Sequence, residues 1–156
     1  MPCAGCVYWE FPEAFEAKKG PGKREEFEAK KKDWFRQTMR EFGTCGKLVY
    51  YQDRLIAYAQ YAPSIRFPRA NKQTSRPIGK IEEGVVFLSC LYISGKSFRD
   101  KGVGEKLLQN IVDDLRRRGF KAIETIARRG VAYNPSGPMT FYVQNGFHVK
   151  DNTNPE

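Results

Sequence analysis

Hydrophobic positions along this 156-residue chain change their spacing from segment to segment, and the spacing predicts the elements. Phe27, Trp34, Phe35, Met39 and Phe42 lie 0, 7, 8, 12 and 15 positions from the first, which is one face of a helix over 24–42 that stops at Gly43. A shorter helix is expected to begin near Pro12, ahead of the break at Gly20-Pro21-Gly22, and Val7-Tyr8-Trp9 reads as a short strand. Residues 47–51 and 55–61 are β-rich runs on either side of Gln52-Asp53-Arg54, the pattern of a hairpin. Residues 62–83 then lose all period and read as one long loop.

The second half of the chain is more sharply patterned. Residues 84–93, GVVFLSCLYI, form a nearly continuous apolar run, as expected of a strand buried on both faces. Val103, Leu107, Leu108, Ile111, Val112 and Leu115 make one apolar stripe on a helix that ends in three arginines and Gly119. Residues 121–126 read as a strand, so 84–126 forms a βαβ unit whose two strands run parallel. Asn134-Pro135-Ser136-Gly137-Pro138 opens a last short helix over 138–145, closed by Gly146, and Phe147-His148-Val149 starts a further strand.

Composition narrows the class without naming it. The length suits one domain, and 40% hydrophobic with 13% aromatic residues supports a core and excludes wholesale disorder. No apolar run approaches the roughly 18–20 residues of a membrane span, and the N-terminus lacks the pattern of a secretory leader. Four cysteines are too few for a disulfide scaffold, so a cytoplasmic, reducing setting is expected. Lysine and arginine number 27 against 18 acidic residues, a net charge of +9 that biases the partners toward phosphates. Arg66, Arg69, Lys72, Arg76 and Lys80 concentrate part of that charge in the 62–83 loop, which on the residues alone reads as a solvated loop.

The chemistry lies in Arg99-Asp100-Lys101-Gly102-Val103-Gly104, between the apolar strand and the amphipathic helix. Glycines there let a ligand approach the backbone, and a helix N-terminus offers unpaired N–H donors and a partial positive charge. This is a pyrophosphate site in outline, with Arg99 and Lys101 adding formal charge. It is not a P-loop, because G-x-x-x-x-G-K-[ST] is absent, nor a dinucleotide fingerprint, because Leu107 stands where the third glycine belongs.

Arg99-x-x-Gly102-x-Gly104 resembles the Q/R-x-x-G-x-G/A signature of the GNAT acyltransferase superfamily, and Tyr142-Val143-Gln144-Asn145-Gly146-Phe147 resembles that family's Tyr-x-x-x-Gly-Phe segment. The likeness is good over 84–150, looser over 44–61, and only general over 1–43. It implies an α/β fold, a splayed mixed sheet of about six strands flanked by helices, with the final strand missing or exchanged with a partner. It further implies acetyl-CoA held between strands 84–93 and 121–127. Leu91, Tyr92 and Ile93 would pair with the pantetheine arm, and Arg99, Lys101, Gly102, Val103 and Gly104 would hold the phosphates. The activity implied is direct transfer of acetyl to the amine of a small molecule or protein, with Tyr142 donating a proton to the departing thiolate and Glu124 as the candidate base. Glu82 and Glu83 are weaker base candidates, and Asn134 is a candidate cofactor contact whose offset from Tyr142 is one residue longer than usual.

A second reading keeps the same fold without catalysis, as a CoA-binding sensor or a basic RNA- or partner-binding module. No RNP or helix-turn-helix pattern supports a nucleic-acid form. Cys3-x-x-Cys6 has neither the spacing partners of a zinc site nor a helix start for a redox pair, so no metal is expected. Cys90 reads as a small buried hydrophobe or as a lining residue of the acyl site, and His148 as structural or exposed. A homodimer formed by strand exchange would cover the sheet edge that a missing last strand leaves.

Overall fold

The computed structural model describes residues 5–17, 23–73, 84–130 and 136–150. The chain divides into two compact units, one of residues 1–45 with 62–81 and the other of residues 46–61 with 82–156.

The first unit is helical. α1 spans Pro12–Glu16 and α2 spans Lys23–Glu41. α2 buries Phe27, Lys31, Trp34 and Thr38, steps of 4, 7 and 11 that lie on one face. That face is rotated from the predicted one: Met39 is 58% exposed, while a lysine and a threonine stand inside. Val7-Tyr8-Trp9 is not a strand. These residues turn into α1, with the Phe11 N–H donating to the Val7 carbonyl at 2.9 Å, and Val7 and Trp9 bury their side chains without a neighbouring ladder.

The first part of the 62–83 segment is structured as well. A single 3-10 turn over Ser64–Arg66 leads into α3, Pro68–Gln73, whereas 74–83 lies outside the described residues. Phe67 is fully buried and packs on Trp34 with ring centroids 5.2 Å apart, and the Trp34 indole donates to the Arg66 carbonyl at 3.0 Å. Packing supplied the order that sequence period did not reveal.

The second unit is a mixed sheet with helices. β1 (Gly46–Tyr51) and β2 (Arg54–Pro63) form the expected hairpin, antiparallel, with an irregularity between Val49 and Tyr50. Gln52 and Asp53 both take left-handed φ, 47° and 58°, as a tight two-residue hairpin loop requires. β3 (Val85–Ile93) follows the apolar run, and β4 covers only Ala122–Glu124. The order is β1-β2-β3-β4, and β3 and β4 are parallel as the βαβ reading predicts.

α4 (Val103–Arg117) packs against β3 and β1 through buried Leu107, Leu108, Ile111 and Leu115. On this side of the sheet Asp114 accepts from the Tyr61 hydroxyl at 3.3 Å and pairs with Lys47 and Arg118. Gly119, at φ 83°, closes α4 by donating to the Arg116 carbonyl at 3.0 Å. α5 covers Met139–Gln144. The predicted strand at 147–149 does not form, so the described residues hold four strands rather than about six.

Candidate active site

The decisive geometry is the point where β3 and β4 separate. Their ladder pairs Val85 with Ala122, Val86 with Ile123 and Phe87 with Glu124, and then stops. At the next position the main chain of Thr125 no longer pairs. Its side-chain hydroxyl donates instead to the Leu88 carbonyl at 2.9 Å, satisfying a buried acceptor that would otherwise cost about 1–3 kcal/mol. Beyond it, β3 continues for five more residues with no strand of the described residues on that side. Leu91 is buried and Tyr92 and Ile93 are half-buried on this open stretch.

Beyond the end of β3, Lys96–Phe98 makes a short 3-10 turn that delivers Arg99 and Lys101, both exposed, to the start of α4. Asp100 and Gly102 take left-handed φ of 59° and 72°. Gly102 is the cap position of α4, with no side chain capping the helix, and a Cβ there would meet nothing within 4 Å. Glycine at the cap thus offers the first N–H groups of this 15-residue helix no side-chain acceptor of its own.

Gly104 is glycine for a different reason. A Cβ at this position would come within 3.3 and 3.4 Å of the Phe141 ring and 3.8 Å of the Ile93 side chain. The bare second glycine lets α4 seat against α5 and the end of β3, a role that the spacing of the two glycines alone does not reveal.

That seating fixes Tyr142, 2% exposed and stacked edge-on between Phe141 and Phe147 at 5.1 and 5.2 Å. Its hydroxyl donates to the Ser136 carbonyl beside Gly137, whose φ is 87°. Burial pushes the phenol well above its ordinary value; a hydrogen bond with Thr125 draws it back, and the nearby Cys90 thiol adds to the rise. Tyr142, Thr125 and Cys90 thus gather where the strands part. Sequence reading singled out Tyr142 and Cys90. It missed Thr125, which carried no signal beyond being a polar β-branched residue near a strand end.

Glu124, the last residue of β4, is half-buried and accepts from the Lys150 ammonium at 2.8 Å. Its carboxylate is held in an ion pair rather than directed at an open space. Asn134, Glu82, Glu83 and Cys3 lie outside the described residues. His148 is exposed. Arg66 and Arg69 are committed within the first unit, Arg66 to Glu41 and Arg69 to Glu16 and the Tyr8 carbonyl. Among the described residues no three potential metal ligands cluster, and no helix is long and apolar enough to cross a membrane.

Residues 6–147 match the acetyltransferase (GNAT) family. The chain belongs to that family. Solved structures share the GNAT fold. The PaiA N-acetyltransferase of Thermoplasma acidophilum, in complex with coenzyme A, superposes with a TM-score of 0.57 at 14% identity, over 96% of this chain and 84% of that one. The aminoglycoside N-acetyltransferase AAC(6')-Iy, in complex with the bisubstrate analogue CoA-S-monomethyl-acetylneamine, gives 0.56 at 14% identity, over 94% and 90%. The ribosomal-protein-alanine N-acetyltransferase of Brucella melitensis biovar Abortus 2308 gives 0.52 at 12% identity, over 99% and 93%. No curated protein matches the chain by sequence. As a GNAT protein the chain is an acyltransferase; at such identities the neighbours' acceptors say nothing of its own.

Proposed function

We propose that this GNAT protein moves an acetyl group from acetyl-CoA to an amine by direct attack, both substrates being bound together. The observation that carries the reading is the fork: the β3–β4 ladder ends at Phe87 and Glu124 while β3 runs on to Ile93, whose side chain lies 3.8 Å from where a Cβ on Gly104 of α4 would stand. Acetyl-CoA supplies an activated thioester, and everything else is asked of the chain. Main-chain groups at Leu91, Tyr92 and Ile93 bind the pantetheine amides along the open edge of β3. The N–H groups of Val103 and Gly104 bind the pyrophosphate, with Arg99 and Lys101 adding charge. Asn134, just before the Ser136–Pro138 turn, is assigned to the cofactor arm.

Tyr142 is the donor to the departing sulfur. Burial keeps its proton in place at neutral pH. A phenol raised this far above a thiol's ordinary value of about 8.5 stabilises the developing thiolate by donating a hydrogen bond, and complete transfer of the proton is uphill. To do so its single hydrogen must turn away from the Ser136 carbonyl. Glu124 is the candidate base, and it serves only when Lys150 releases its carboxylate. Support for the amine acceptor comes from the chain's membership of the acetyltransferase (GNAT) family.

The test is calorimetric titration with acetyl-CoA of the unaltered protein beside Gly102→Glu. Micromolar binding that weakens at least tenfold (about 1.4 kcal/mol) in the variant supports the pyrophosphate at this loop. An unaltered protein that binds no acetyl-CoA would sink the reading.

A further inference from the structure

Tyr142 is held by backbone, and that backbone turns at Gly137. The phenol donates to the carbonyl of Ser136, a fully buried residue. A Cβ on Gly137 would stand 3.7 and 3.8 Å from the Cε2 and hydroxyl oxygen of Tyr142, ordinary contact distances, so lack of room is not what demands a glycine. Conformation demands it instead. Gly137 has φ 87°, and this torsion sets the peptide plane that carries the Ser136 carbonyl against the chain running on to Tyr142. Downstream the chain is fixed: Pro138 has φ −74°, the Met139 N–H donates to the Arg128 carbonyl at 3.3 Å, and Pro138 bridges Arg128 in parallel. Arg128 itself lies on the segment that leaves β4. An L side chain at Gly137 favours negative φ, the more so before a proline, and that change swings the Ser136 carbonyl through roughly 150°.

We propose that Gly137 is a positioning residue for Tyr142: its left-handed turn aims the Ser136 carbonyl at the phenol and keeps the hydroxyl in one place until substrate takes the hydrogen. The catalytic part of this inference rests on the donor role given to Tyr142 above. A phenol only 2% exposed has little water to turn to, so loss of the carbonyl leaves a buried donor that shifts toward another acceptor. Gly119 supplies the contrast. It too is left-handed, at φ 83°, and a Cβ there would meet nothing within 4 Å. An alanine at either position is strained in the same way. Only at Gly137 does relief of that strain move a carbonyl that Tyr142 uses.

The experiment compares Gly137→Ala with Gly119→Ala in the full chain labelled with 13C at the tyrosine ζ carbon, the Tyr142 signal being assigned by its loss in Tyr142→Phe. Both variants are expected to unfold at lower urea concentration than the unaltered protein, and only Gly137→Ala to shift the Tyr142 signal. A glycine needed for the turn alone would lower stability and leave that signal where it was, and this result would overturn the proposal. Should Gly137→Ala fail to fold, the unaltered protein still decides: absence of a nuclear Overhauser contact between the Gly137 α hydrogens and the Tyr142 ε hydrogens would overturn it. Release of CoA thiol from acetyl-CoA with a panel of primary amines should fall about tenfold in Gly137→Ala and stay within about twofold in Gly119→Ala, with acetyl-CoA affinity nearly constant in both. Equal turnover in the two variants would remove Gly137 from the reaction. An unaltered protein that fails to bind acetyl-CoA would remove the enzyme reading, whereas the tyrosine signal reports on Gly137 whether or not the cofactor binds.

Discussion

Lys31 and Glu10 form an ion pair in the first unit with side chains 6% and 1% exposed, and Tyr142 in the second unit is 2% exposed. Both centres bury polarity, but in opposite ways. The ion pair is sealed: the Lys31 ammonium also sits over the Trp34 and Phe35 rings at 5.6 Å from each, so the charge is enclosed by its counter-ion and two aromatic faces. Tyr142 is neutral, and its hydroxyl donates to the Ser136 carbonyl rather than to a charged group. Charges that are buried and matched hold a structure in place. A neutral phenol held by one carbonyl keeps a hydrogen that it can donate elsewhere.

The largest effect should break the sealed side of that contrast. Lys31→Met leaves a buried carboxylate without its counter-ion and should cost about 3–5 kcal/mol in urea unfolding, while the Lys31→Met, Glu10→Gln double variant regains most of it. Equal midpoints for Lys31→Met and the unaltered protein would show that the pair does not seal the first unit.

Next in size is Tyr142→Phe. Turnover should fall about a hundredfold, worth roughly 2.7 kcal/mol, while acetyl-CoA affinity stays nearly constant. Unchanged turnover would remove Tyr142 from the chemistry. The same pair of proteins separates in alkali. The folded phenol is raised above its unfolded value of 10.0, so its stabilisation is whole below that pH and is lost as pH climbs beyond it. The unaltered protein should lose about 1.4 kcal/mol per pH unit above pH 10 relative to the phenylalanine variant, with no difference in slope near neutrality.

The smallest effect sharpens the contrast within the glycine motif. Gly104→Ala gains about 0.8–1 kcal/mol of helix propensity and spends it moving the Phe141 ring a few tenths of an ångström, so stability should change by less than about 1 kcal/mol. A loss of several kcal/mol would show that Phe141 cannot yield.

Much of the second unit was legible because its signals are local and redundant. α4 carries an uninterrupted apolar stripe, β3 an apolar run, and the hairpin two β-rich runs on either side of Gln52-Asp53-Arg54. The first unit was less so. Val7-Tyr8-Trp9 has β-prone residues but no strand beside it, and the α2 face turned because Lys31 finds Glu10 and thereby enters the interior. A buried lysine is unreadable from a helical pattern, since its partner lies 21 residues away.

What the sequence determined by itself is the βαβ order, the glycine at the start of α4 and the chemical types near the fork, because each depends on neighbours within a few residues. Only the tertiary structure decided where the β3–β4 ladder stops, that Gly104 is bare for Phe141, that Glu124 is held by Lys150, and that Thr125 serves the Leu88 carbonyl. These are contacts between residues 26 to 37 positions apart along the chain, and hydrogen bonds and van der Waals contacts act over a few ångströms of space. Folding alone brings such residues within that range.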